Sequence, residues 1–189
     1  MKNATRMDSA GAVGDGGKYT PAKDEWGTPR ELVAGVARLF GLDGFDLDPA
    51  ASAETAQAPK FFTRIEDGLE QPWRGNVFLN PPFGPRGSFV ARWLAKALAE
   101  VQHTNGITAV LVPGKVDTVW WHRYVMAAPT ILLVKGRLCF IDPATGKPCA
   151  DSKGRPMPAG FPVAIAIFRR GPSRGPEVLS IDARGRALR

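Results

Sequence analysis

Cysteine and histidine are scarce in this chain, two of each in 189 residues, and the scarcity removes whole classes of chemistry. Cys139 and Cys149 have no second pair beside them, so a zinc site is not expected, nor any other metal. Both are read as reduced thiols of a cytoplasmic protein. His122 follows Trp120 and Trp121 on a predicted helix and reads as a packed or surface residue, since nothing around it calls for a base. Long apolar runs are missing too. None approaches the roughly 20 residues of a membrane-spanning helix, and the N-terminal stretch has no signal-peptide core. The segment at residues 45–52 lacks the Gly-x-Gly spacing of the commoner cofactor loop, and the chain has no long insertion that would form a separate domain.

Acidic residues are outnumbered, 18 against 25 Lys and Arg, for a net charge of +7. That balance permits a polyanionic partner without requiring one. A hydrophobic content of 44% excludes a disordered chain, while 17 Pro and 21 Gly imply many turns and long loops. The length fits one domain able to bury a real core. Residues 1–23, small, polar and without periodicity, are expected to form a flexible arm. Residues 24–170 then carry the ordered domain, and 171–189 a floppy basic tail that could touch phosphates.

The chain is organised around residues 76–83, Asn-Val-Phe-Leu-Asn-Pro-Pro-Phe. The apolar run Val77-Phe78-Leu79 predicts a central strand of a parallel sheet covered on both faces. Pro81 and Pro82 stop it, because neither can donate to a ladder and each fixes its own φ. Asn80, Pro81, Pro82 and Phe83 are thereby held outside the carboxyl end of a strand, where open α/β sheets bind ligands. The types suit one task. The Asn80 side-chain oxygen and the Pro81 carbonyl are two neutral acceptors for an exocyclic amino group, whose lone pair must leave conjugation before it can attack. Phe83 offers a face for the flat ring.

Upstream, Thr28 and Glu31 have capping-box spacing and Pro29 falls at a first helical position, predicting a helix that Gly41 ends. Trp26 packs in front of it. Residues 45–52 read as a strand ending in acid, then Pro49 and small residues from Ala50 onward, a turn that a ligand can approach closely. Asp46 or Asp48 would accept from a ligand's ammonium group. Asp67-Gly68 is a turn signal. A helix from Phe89 to about Val101, with Ser88 as its cap, carries Phe89, Val90, Trp93 and Leu94 on one face. Residues 107–112 and 131–134 predict further buried strands, with Asp117 capping the helix between them. Residues 136–141 and 162–168 look like an antiparallel pair at the sheet edge. The Pro/Gly-rich segment between these two, with Lys147, Lys153 and Arg155, is long enough to be functional.

Asn-Pro-Pro-Phe resembles the catalytic tetrapeptide of S-adenosylmethionine-dependent amino-methyltransferases. In order, Trp-x-Thr-Pro, Asp-x-Asp-Pro-Ala-Ala, Asp-Gly-Leu, the tetrapeptide, Val-Pro-x-x-x-Asp-Thr-x-Trp and Gly-Arg-x-x-Phe resemble the phage-type DNA N6-adenine methyltransferases over about residues 24–168. The resemblance implies an α/β, Rossmann-like sheet of seven strands, mostly parallel, with one antiparallel strand near the edge and helices on both faces. It implies direct methyl transfer from S-adenosylmethionine to adenine flipped out of double-stranded DNA. It implies a bacterial host cytoplasm, a bacteriophage or prophage source and a place in restriction-modification. It also places Trp26, Thr28, Pro29, Asp46 or Asp48, Pro49, Ala50 and Asp67 around the cofactor, with Asp67 near its adenine. The chain departs from the commoner pattern in having Phe rather than Tyr at position 83. The same tetrapeptide serves RNA adenine, cytosine N4 and protein glutamine, which stay open as acceptors. A non-catalytic basic nucleic-acid-binding protein is the alternative of another class.

Overall fold

The computed structural model describes residues 25–171 and 175–188; the expected arm at 1–23 lies outside them. The first helix, α1 (Arg30–Leu39), buries Leu32, Val33 and Val36, an i, i+1, i+4 stripe. It ends as expected at Gly41, whose φ of +69° suits glycine. Its start differs from expectation. Pro29 has ψ 125° and is itself the cap position, so Thr28 precedes the helix and makes no capping bond. Thr28 is instead buried, with 2% of its surface exposed.

The strands β1 (Leu47–Asp48), β2 (Lys60–Phe61), β3 (Val77–Leu79), β4 (Ile107–Pro113), β5 (Thr130–Val134), β8 (Val163–Arg169) and β9 (Glu177–Ile181) form one seven-stranded sheet, ordered β2-β1-β3-β4-β8-β5-β9. All pairings are parallel except those of β8, which runs antiparallel between β4 and β5. The α/β, mostly parallel sheet is therefore present. The pairing of 136–141 with 162–168 is not. β8 lies inside the sheet, and β6 (Ile141–Asp142) instead pairs with β7 (Lys147–Pro148) as a separate two-stranded ribbon. Continuous burial of β4 and of all but the last residue of β8 explains the choice: such runs need neighbours on both sides.

The tail is corrected as well. Residues 177–181 are the edge strand β9, in register with β5 from Thr130↔Glu177 to Val134↔Ile181, and Ile181 is fully buried. The expectation of a floppy tail rests on its charge, whereas Leu179 and Ile181, two positions apart, turn toward the core and seat the strand.

Helices cover both faces. Phe78, Ala109, Leu111, Ile165 and Ile167 point to α1, whereas Val77, Leu79, Val110, Val112 and Phe168 point to α2 (Val90–Glu100) and α3 (Val119–Tyr124). Trp93 is core, stacked on Trp73 at 6.3 Å between centroids. Phe89 is not part of that face: it occupies the cap position of α2 and is 42% exposed, and Ser88 makes no capping bond. The cap of α3 is Thr118, one residue after the expected Asp117, accepting from Trp121 N–H.

Candidate active site

Proline stops β3 at Leu79, and the turn that follows stands at the carboxyl end of the sheet. Asn80 is half-buried there. Its Nδ2 donates to the Trp26 carbonyl at 3.0 Å, which turns its Oδ1 away from that partner as an acceptor. Pro81 is buried behind it. Phe83 meets Phe161 edge to face, centroids 5.7 Å apart at 72°, and packs against both halves of the core. The ring of Phe83 thus has its orientation set from the side by the long segment between β5 and β8.

The residues expected around the cofactor converge through one residue that sequence reasoning passed over, Gln57. Its side-chain amide donates to the carbonyls of Thr28 at 2.8 Å and Thr55 at 3.0 Å. Its backbone N–H donates to Asp48 Oδ2 at 3.1 Å, and Ala50 N–H donates to Asp48 Oδ1. The segment 26–29, the turn after β1 and the turn after β3 are therefore tied together at one end of the sheet. Gln57 carries no pattern signal, being a lone glutamine in a loop nine residues beyond Asp48.

Asp48 ends β1 and is 3% exposed. Burial pushes its pKa up to about 7, against the pull of its two N–H donors. Asp46 belongs elsewhere. It lies before β1, exposed, and accepts from both the backbone and the side chain of Asn76 at the amino end of β3. Of the two acids, only Asp48 is buried beside the turn after β1, whereas Asp46 is a clasp between strands.

Asp67 sits in a left-handed turn, φ +48°, its Oδ1 accepting from Leu69 N–H. Its neighbour Gly68 is pressed on the turn after β1: a Cβ there would lie 1.9 Å from the Pro49 carbonyl oxygen. Trp73 Nε1 locks this contact by donating to Gly68 O at 2.8 Å. Asp67 is thus the residue before the one pressed on the Asp48–Pro49 turn, with its carboxylate bonded to Leu69 N–H. His122 is exposed on α3, and the two cysteines are free thiols. Among the described residues no group of three or more metal-ligating side chains assembles, and no helix is long and apolar enough to cross a membrane.

The Asp48 carboxyl sets a stability prediction. An Asp whose folded pKa lies near 7 and whose unfolded value lies near 3.8 holds its proton more tightly in the fold. Its contribution is complete at low pH, falls as pH rises from about 4 to about 7, and is flat above. At 1.36 kcal/mol per pKa unit, the loss amounts to a few kcal/mol. Chemical denaturation between about pH 4 and 8 should show this decline in the wild type and a flatter profile in Asp48→Asn.

A search of curated proteins returns no match. The family model for DNA N-6-adenine-methyltransferase (Dam) matches residues 17–168, a span that runs from the segment before Trp26 to the end of the β8 core and takes in the whole cluster around Asn80. With a match over most of its length, the chain belongs to the DNA N-6-adenine-methyltransferase (Dam) family.

Proposed function

We propose that the chain transfers a methyl group from S-adenosylmethionine to the N6 amino group of adenine within a specific site in duplex DNA. The observation that carries this reading is Asn80. Its Nδ2 is held by the Trp26 carbonyl, which leaves the side-chain oxygen as the acceptor at the end of β3. An acceptor there takes an N–H of the amino group and favours the pyramidal geometry in which the nitrogen lone pair is available. The Pro81 carbonyl takes the second N–H, and Phe83 supports the ring of the flipped base.

Two observations favour the cofactor. The Thr28 hydroxyl is buried and has no hydrogen-bond partner among the described residues. Such a group costs about 1–3 kcal/mol unless something meets it, and a ligand polar atom would. Asp48 is the second: a buried carboxyl with no counter-charge among the described residues, it is suited to an ammonium group. Thr28, Asp48, Pro49 and Ala50 would hold the amino-acid end of S-adenosylmethionine, with Asp67 bordering. Bound there, the cofactor supplies an electrophilic methyl group on a sulfonium. The chain's own residues then need only align the acceptor and exclude water. No covalent nucleophile is required.

Asp48 must be ionised to receive an ammonium, so cofactor affinity should fall as pH drops below about 7, where its carboxyl takes up a proton. Calorimetry across that range checks this, and Asp48→Asn should bind weakly at every pH. The function itself is tested by transfer of a labelled methyl group from the cofactor. Label is expected in material destroyed by deoxyribonuclease and resistant to ribonuclease and protease. Label in RNA or protein alone would overturn the reading.

A further inference from the structure

Two five-residue turns repeat one pattern, Asp151-Ser-Lys-Gly-Arg155 and Asp182-Ala-Arg-Gly-Arg186. Their bonding repeats as well. In the first, Lys153 and Arg155 N–H donate to Asp151 Oδ1 at 2.9 and 3.0 Å, and Gly154 N–H donates to Asp151 O at 2.9 Å. In the second, Arg184 and Arg186 N–H donate to Asp182 Oδ1 at 2.9 and 3.0 Å, and Gly185 N–H to Asp182 O at 2.9 Å. Each turn is closed by one antiparallel bridge, Ala150↔Pro156 and Ile181↔Ala187. In each, the final arginine lays Nε and Nη2 on the same carboxylate oxygen, at 2.8 and 2.7 Å for Arg155 and 2.7 Å twice for Arg186.

Fold stability does not explain these pairs. The two arginine side chains are 71% and 68% exposed, and exposed ion pairs contribute at most about 1 kcal/mol. The pairing fixes each guanidinium at the tip of a turn. Two of its five N–H groups are used and three are left to face outward. Ordering a long side chain costs about 0.5–1.5 kcal/mol on binding, and here it is ordered beforehand. The carboxylates are fully engaged with turn donors, which hold both Asp pKa values below the ordinary range.

Both turns belong to segments that leave the sheet at its Asn80 end. The segment after β5 leaves at Val134 and returns at Val163, which pairs with Pro113 at the carboxyl end of β4. Ile181, immediately before the second turn, pairs with Val134 at that same end. Lys147 and Lys153, both exposed, share the first segment. A planar fork with free N–H groups matches phosphate oxygens.

We propose that Arg155 and Arg186 are preorganised phosphate anchors that seat the DNA backbone on the catalytic end of the sheet. This rests on the DNA methyltransferase reading and adds the surface that positions the duplex; phosphate contacts fix register while base contacts specify sequence. The test is anisotropy of a labelled duplex titrated with wild type, Arg155→Gln, Arg186→Gln and the double variant between roughly 50 and 200 mM salt. Each single change should lower the slope of log K against log salt by about 0.9 and the double change by about 1.8. Arg155→Lys should keep the wild-type slope. Thermal midpoints and cofactor affinity should not move. Variants with wild-type slope and affinity, made in a protein that methylates DNA, would overturn this inference alone. A wild type that binds no duplex would remove the underlying reading with it.

Discussion

Asn80→Ala should lower the single-turnover rate of methyl transfer by about 10²–10³-fold, the cost of deleting one preorganised polar group aimed at a developing charge. Cofactor affinity should change little, because the bonds that gather Thr28, Asp48 and Gln57 do not pass through Asn80. The loss belongs to the transition state: the acceptor does most when the amino nitrogen pyramidalises, and less when the base merely binds. Deleting the side chain also removes the Asn80 Nδ2 donor from the Trp26 carbonyl, so the folded state of the variant is to be checked by its thermal midpoint. Asn80→Asp should retain part of the activity. A carboxylate keeps an acceptor toward the base, but it also places an oxygen opposite the Trp26 carbonyl, where the wild type has an N–H at 3.0 Å. Single-turnover rates separate these effects from product release.

Ending the chain after Arg170 should destabilise or unfold it. β9 pairs with β5 along five residues, and its loss leaves the hydrogen-bonding edge of Thr130–Val134 bare. Ile181 leaves the core with it, and deletion of a buried isoleucine side chain alone costs about 2–5 kcal/mol. The following turn is also fitted to α1: a Cβ on Gly35 would lie 1.9 Å from the Arg184 carbonyl oxygen. Gly35→Ala should therefore lower the thermal midpoint of the full chain, while the truncated chain should be largely insoluble or lack a cooperative transition. A truncated chain with a wild-type midpoint would show the edge strand to be dispensable.

The centre of the sheet was legible because its strands are continuous apolar runs with hard stops. Val77-Phe78-Leu79 before Pro81-Pro82 admits little else, and the same holds for residues 107–112. What escaped was decided by contacts between distant segments. Thr28 matches a capping spacing, but the extended Pro29 delays the helix and leaves the hydroxyl inside the protein. Asp46 and Asp48 differ by two positions and face alike in a strand; only the pairing with Asn76 assigns Asp46 to the amino end. Gln57 and Phe161 lie in loops whose composition says nothing of their partners, Asp48 and Phe83. The edge strand β9 was hidden by the arginines around it.

Methylation of adenine by way of Asn80 is tested most directly by the product. Unmethylated duplex DNA incubated with S-adenosylmethionine and the wild-type chain is digested to nucleosides and separated by mass and retention. N6-methyladenine nucleoside should appear with the wild type and be reduced by about 10²–10³-fold in initial rate with Asn80→Ala. N4-methylcytosine in its place, or N6-methyladenine formed at the wild-type rate by Asn80→Ala, would contradict it.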